Sequence, residues 1–179
     1  MAVRTPDPNP GWLSDDELRD ARERLPILYV EAIPVRLDGI GQVTEVGLLL
    51  RMNEQSEMTR TIVSGRVMRG ESVRDALYRH LEKDLGPMAF PQLPASPVPF
   101  QVAEYFPLPG GGLYSDSRQH AVSLCYIVPV TGSCDPRQDA LELTWLSPEA
   151  AASELVLSEM EGGRGSLVRA ALAHLGALR

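Results

Sequence analysis

The residues best placed to do chemistry lie between Gly65 and Gly86, in the run GRVMRGESVRDALYRHLEKDLG. His80, Lys83 and Asp84 are three and four positions apart, which puts them on one face of a helix. An imidazole, an ammonium and a carboxylate sharing a face can orient and protonate a small anionic ligand. They make a poor cage for hard cations, which need several oxygen ligands. Glu71 and Arg79 carry opposite charges eight residues apart and are expected to pair as a clamp between a loop and that helix. Outside this run, Asp139 and Glu142 offer further carboxylates. His120 opens an apolar strand beside the glycine-rich stretch 109–112 and is a candidate pocket residue.

The spacing glycine, five residues, glutamate, seven residues, arginine, then a helix ending in glycine resembles the Nudix box. Gly65, Glu71, Arg79, Leu81 and Gly86 match that pattern, and Asp84 stands for its last glutamate. His80 and Lys83 stand where the pattern has glutamates, Pro87 replaces the final apolar residue and Ser64 the first glycine of a pair. The stretch from Glu142 to Ala150 looks like the family's exit, a strand followed by a capped helix, so the likeness covers roughly residues 27–157. The whole chain also looks like an uncharacterised bacterial branch of the superfamily. The opening Gly65-Arg66-Val67 through Glu71 is similar to that of the GDP-mannose mannosyl hydrolases, which implies a nucleotide-sugar substrate. By the same alignment, their catalytic histidine falls on Ala140, so Asp139 or Glu142 would take its role.

The resemblance implies an α/β fold, the Nudix-type α/β/α sandwich with a mixed sheet, carrying extra N-terminal and C-terminal helices. It implies hydrolysis of a nucleoside diphosphate linked to another moiety, in a one-metal or weakened metal site. Asp84 and Glu142 would then hold one Mg²⁺, with Asp84, His80, Glu142 and Asp139 as the catalytic set. Arg66, Arg79, Lys83 and His120 would bind substrate. Lys83 works against a metal cluster, because two like charges about 4 Å apart repel by about 4 kcal/mol at an effective dielectric of about 20. The alternative from the same residues is a catalytically silent module that binds a nucleotide or nucleotide-sugar as a sensor or partner. There Lys83 replaces the metal as a point charge, Arg66, Arg69 and Arg79 act as phosphate forks, and His80 pairs with Asp84 as a base near neutral pH. The resemblance also implies homodimerisation, and it places specificity in loops 52–58, 87–99 and 107–119.

The elements that must position these groups are legible from periodicity. Ser14 and Glu17 form a capping box for a helix running to about Arg24. Residues 27–37 and 43–51 read as strands, with Pro34 at an edge or bulge. Thr59–Val63 reads as a third strand. Val73, Ala76, Leu77, Leu81 and Leu85 make one buried helical stripe that ends at Gly86-Pro87. Strands follow at 100–106, 120–130 and 141–146, then a helix opening at Ser147-Pro148 and a last helix over about 166–178. The organisation expected is an arm and helix over 1–26, the domain over 27–157 and a packed C-terminal helix over 158–179.

Composition bounds the rest. The chain has 179 residues, 44% of them hydrophobic, which suits one globular domain. Its 24 acidic against 17 basic residues give a net charge of -7, so a nucleic-acid polymer is a poor partner and a small phosphorylated ligand requires a local arginine cluster. No apolar run reaches the roughly 18 residues of a membrane span and no secretory leader is visible, so a cytoplasmic, membrane-free protein is expected. The two cysteines, Cys125 in an apolar strand and Cys134 in a turn, cannot build a disulfide framework.

Overall fold

A computed structural model describes residues 12–53, 55–108, 110, 112–136 and 140–178, with 140 and 141 described by backbone only. The helices are α1 (Asp15–Arg24), α2 (Val73–Leu85), α3 (Pro148–Ala151), α4 (Glu154–Ser158) and α5 (Arg164–His174), with a short 3₁₀ turn over Glu161–Gly163. The strands are β1 (Ile27–Leu37), β2 (Val43–Met52), β3 (Met58–Thr61), β4 (Val63–Arg66), β5 (Ala89–Pro91), β6 (Gln101–Phe106), β7 (Tyr114–Ser115), β8 (Ala121–Gly132) and β9 (Ala140–Leu146). They form one mixed sheet along the path β3-β2-β1-β8-β6-β7, with β4 on β1, β5 on β8 and β9 on β2. The central pair, β1 and β8, is parallel. None of the helices is long and apolar enough to cross a membrane.

β1 is buried on both faces from Val30 to Val35, whereas β8 alternates between buried and partly buried residues. Val30, Ala32, Leu49, Val63, Tyr126 and Val128 pack under Ala76, Leu77, Leu81 and Leu85 of α2. Ile33, Val35, Leu48 and Cys125 point the other way and pack under Leu167, Val168, Ala171 and Leu172 of α5. Truncating any one of the α2 leucines, all at most 1% exposed, should cost about 2–5 kcal/mol.

Three local expectations are corrected. Pro34 lies in the central strand of the sheet, not at an edge. β1 pairs with β4 through Ala32 and with β2 from Val35 onward, so the missing proline N–H falls in the gap between two partners, where no ladder bond is required. The strand expected over Thr59–Val63 is broken at Ile62, because β3 pairs with β2 while β4 pairs with β1. The helix opening at Pro148 is two short ones, since Ser153 caps α4 afresh by accepting from the Val156 N–H. The change of partner along β1 matters most: it brings the end of β2, β3 and β4 side by side, and residues of all three line one cleft.

Candidate functional site

α2 presents the box residues. Ser72 caps its first turn by accepting from the Asp75 N–H, and the helix stops at Gly86. The Glu71–Arg79 clamp is present and bidentate: Arg79 Nε donates to Oε1 at 2.7 Å and Nη2 to Oε2 at 2.8 Å. Arg79 Nη2 also donates to the Arg66 carbonyl at 2.9 Å, and Glu71 accepts from the Met68 N–H. The hydrogen bond from Arg79 holds the Glu71 carboxyl below its usual range.

His80 is buried beneath the start of the box loop. Its Nε2 lies 3.0 Å from the Arg66 carbonyl, a contact that needs Nε2 as donor, and its Nδ1 has no partner among the described residues. A Cβ at position 65 would fall inside the imidazole ring, so only glycine fits above it. Burial, helped by Arg79 and Lys83, pushes the imidazole down to about 4. His80 is therefore neutral at pH 7 and tethers the loop. It is not bonded to Asp84, contrary to the expected pairing.

Asp84 is 1% exposed. Oδ1 pairs with Lys83 Nζ at 3.2 Å, and Oδ2 has no partner among the described residues. Burial raises its carboxyl above the usual value, while the charges of Lys83 and Arg51 and the Ser64 backbone pull it back. Arg51 closes the apolar run of β2. Its Nε and Nη2 are shielded from solvent and make no hydrogen bond among the described residues.

The cleft has a volume of about 740 Å³. One wall is Arg51 with Ser64 and Gly65, and the other is the 115–118 loop with Gly162 and Arg164. Among the described residues, four arginines line it, at 51, 60, 118 and 164, with the carboxylates Asp116 and Glu161. Three of the four are braced. Arg60 Nε donates to Glu159 at 2.5 Å, and Arg118 meets Asp116 through Nε and Nη2 at 2.9 Å each. Arg164 Nε donates to Glu31 Oε1 at 2.8 Å. Glu31, 1% exposed, takes the Tyr105 hydroxyl on its other oxygen at 2.7 Å. Gly162 and Gly163, at φ +66° and +84°, turn the chain sharply enough to deliver Arg164 to this spot. Asn53 Nδ2 donates to Glu161 and closes one end of the cleft, while α1 steadies the 115–118 loop through Arg22, Gln119 and Asp116.

The expected site residues are thus dispersed. His80, Lys83 and Asp84 come together on α2. The Arg79 side chain is committed to Glu71, and Arg66 contributes its carbonyl to the clamp; neither lines the cleft, and neither does Lys83. His120 stacks on Phe106 at 4.8 Å, with Nε2 4.0 Å from Glu104, also away from the cleft. Glu142 is exposed on β9, where the Thr144 hydroxyl donates to it at 3.4 Å. Asp139 lies outside the described residues. Arg51, Arg60, Arg118, Arg164 and Glu31 carry no local motif. The usable signal was a glutamate inside ILYVEAIPVRL and an arginine ending VTEVGLLLR: charges in buried strands need a partner or a ligand.

Divalent metals are typical of Nudix hydrolases, but the described residues do not fit one. They contain no group of three or more His, Cys, Asp or Glu side chains placed to share an ion. The single buried box carboxylate already faces an ammonium at 3.2 Å and the charge of a guanidinium. A hard cation needs about six oxygens in place of these.

Comparison with known proteins agrees with the architecture. No curated protein matches the chain. A Jonesia denitrificans protein named a possible asymmetric diadenosine tetraphosphate (Ap4A) hydrolase is 60% identical, covering 87% of this chain and 98% of its own, with a TM-score of 0.85. The Nudix domain of Shewanella oneidensis NrtR, solved with ADP-ribose, is 17% identical over 85% and 90% of the two chains, with a TM-score of 0.59. The Caenorhabditis elegans Ap4A hydrolase is 14% identical over 85% and 99%, with a TM-score of 0.57. The model of a domain of unknown function, DUF4916, matches residues 8–177. The chain therefore belongs to the DUF4916 family, and its fold is that of the Nudix hydrolases.

Proposed function

We propose that this chain binds a nucleoside diphosphate linked to another group, the class that includes nucleotide sugars, ADP-ribose and dinucleoside polyphosphates. The observation that carries this reading is the arginine-lined cleft. Among the described residues of a chain of net charge -7, four arginines gather in one concavity of about 740 Å³, and one of them, Arg51, has no carboxylate hydrogen-bonded to its shielded nitrogens. Volumes of about 300–1,000 Å³ suit a small organic ligand. Guanidinium groups held by carboxylates are already oriented, so little freedom is lost when a phosphate arrives. Tyr29 supplies an aromatic wall for a base. Binding without turnover is the reading the box favours, since its histidine is neutral and tethered and its one buried acid is paired with lysine.

A second reading, hydrolysis of the same ligand class, is favoured by the name of the 60% identical Jonesia relative. Asp84 then supplies the one box carboxylate with a free oxygen. Phosphorus NMR of the protein with ADP-ribose and with diadenosine tetraphosphate, in Mg²⁺ and in EDTA, separates the two. Binding predicts broadened or shifted ligand resonances and no new ones in either buffer. New product resonances that vanish in Asp84→Asn would establish the hydrolase. Unaltered spectra throughout would defeat both.

A further inference from the structure

Six buried side-chain polar atoms lack a hydrogen-bond partner among the described residues, and four of them belong to Arg51, His80 and Asp84. Arg51 is partly buried, but its Nε and Nη2 are shielded from solvent, and shielded N–H groups without a partner are costly, so in a cleft they point to a missing anion. Arg51 differs from the other three cleft arginines in this respect. Arg60, Arg118 and Arg164 are each fixed by a carboxylate, whereas Arg51 lies close enough to bias the Asp84 charge yet shares no hydrogen bond with it. On β2 it follows Leu49 by two positions and so shares the face that α2 covers. The register irregularity beside Arg51 skips residue 141 of β9, while β2 stays in unbroken register with β3, so the alternation that places Arg51 on this face holds.

We propose that Arg51, with Lys83, is the resident cation of the box and stands in the electrostatic place of a divalent ion. Asp84 then holds two cations instead of ligating a metal. Two positive charges against one carboxylate leave a local excess of positive charge, which a ligand phosphate neutralises. The guanidinium offers that phosphate a bidentate fork. Phosphate binding in this cleft accordingly requires no divalent metal. The inference rests on the nucleotide-binding reading and adds the residue that receives the phosphate.

The test is calorimetric titration of inorganic pyrophosphate into the full chain in EDTA and in Mg²⁺. Wild type is expected to bind with the same affinity in both buffers. Arg51→Gln should bind about tenfold more weakly or worse, as loss of a charge-assisted pair implies, and Arg51→Lys should fall in between. Circular dichroism of each variant checks that it is folded. Manganese(II) EPR supplies a second readout: wild type should leave millimolar Mn²⁺ free. Pyrophosphate binding that needs Mg²⁺, undiminished binding by folded Arg51→Gln, or Mn²⁺ bound by wild type and released by Asp84→Asn would each overturn the role of Arg51 while sparing the cleft. Failure of wild type to bind pyrophosphate in either buffer would defeat the cleft reading and this inference together.

Discussion

Two carboxylates, Glu31 and Asp84, are each 1% exposed behind arginines that line one cleft, Glu31 behind Arg164 and Asp84 near Arg51, and they are treated in opposite ways. Glu31 has both oxygens occupied, by Arg164 and the Tyr105 hydroxyl, and the Cys125 thiol lies 3.8 Å away. Burial, and after it the Glu31 charge, pushes the Cys125 thiol up to about 12. Asp84 has one oxygen on a lysine and the other on nothing among the described residues. A saturated buried charge is a brace. An under-used one is a place where a ligand's charge has been left room. The difference separates what holds the cleft open from what the cleft is for.

The comparison can be broken by substitution. Glu31→Ala strips the carboxylate from partly buried Arg164 and the acceptor from buried Tyr105 and should cost about 3–5 kcal/mol in urea unfolding; a loss under about 1 kcal/mol would show that Glu31 is no brace. The next effect is one of pH. His80 falls from 6.5 unfolded to about 4 folded, so the unfolded chain binds more protons between those values. Its contribution is present above pH 6.5 and is lost as pH falls toward 4. It amounts to at most about 3 kcal/mol. His80→Gln, which keeps a donor for the Arg66 carbonyl, should flatten that part of a stability–pH curve.

Gly65→Ala pushes a methyl into the His80 ring and should destabilise by about 1–3 kcal/mol, with most of the loss recovered in the Gly65→Ala, His80→Ala double variant. Asp84→Asn should cost less than Glu31→Ala, about 1–2 kcal/mol, because it takes the carboxylate from Lys83 and Arg51 but Lys83 is 27% exposed and can turn to solvent. If Asp84→Asn unfolds the chain as Glu31→Ala does, the contrast between the two carboxylates is void.

Much of the fold is legible in the sequence because it is local. The α2 stripe, the Ser14 capping box and the stop at Gly86 each need only neighbours within a turn or two. The Glu71–Arg79 clamp is legible from the resemblance, which spaces its two ends along one loop and helix. The break at Ile62 and the place of Pro34 depend on which strand pairs with which, and that is decided by residues far apart in the chain. The cleft is less legible still. Glu31 and Arg164 are 133 residues apart, and Arg51 acquires its significance only when α2 packs over β1 and β4 and brings Asp84 near the end of β2. Reading the box alone gathers the cations nearest in sequence, Arg66 and Arg79, whereas the clamp occupies one side chain and the carbonyl of the other.

The most direct test of the central claim is a crystal structure with inorganic pyrophosphate and Mn²⁺, collected at the manganese absorption edge. The account predicts phosphate against the Arg51 guanidinium and no anomalous peak beside Asp84. A manganese peak about 2 Å from Asp84 Oδ2, bridging it to the phosphate, would contradict it.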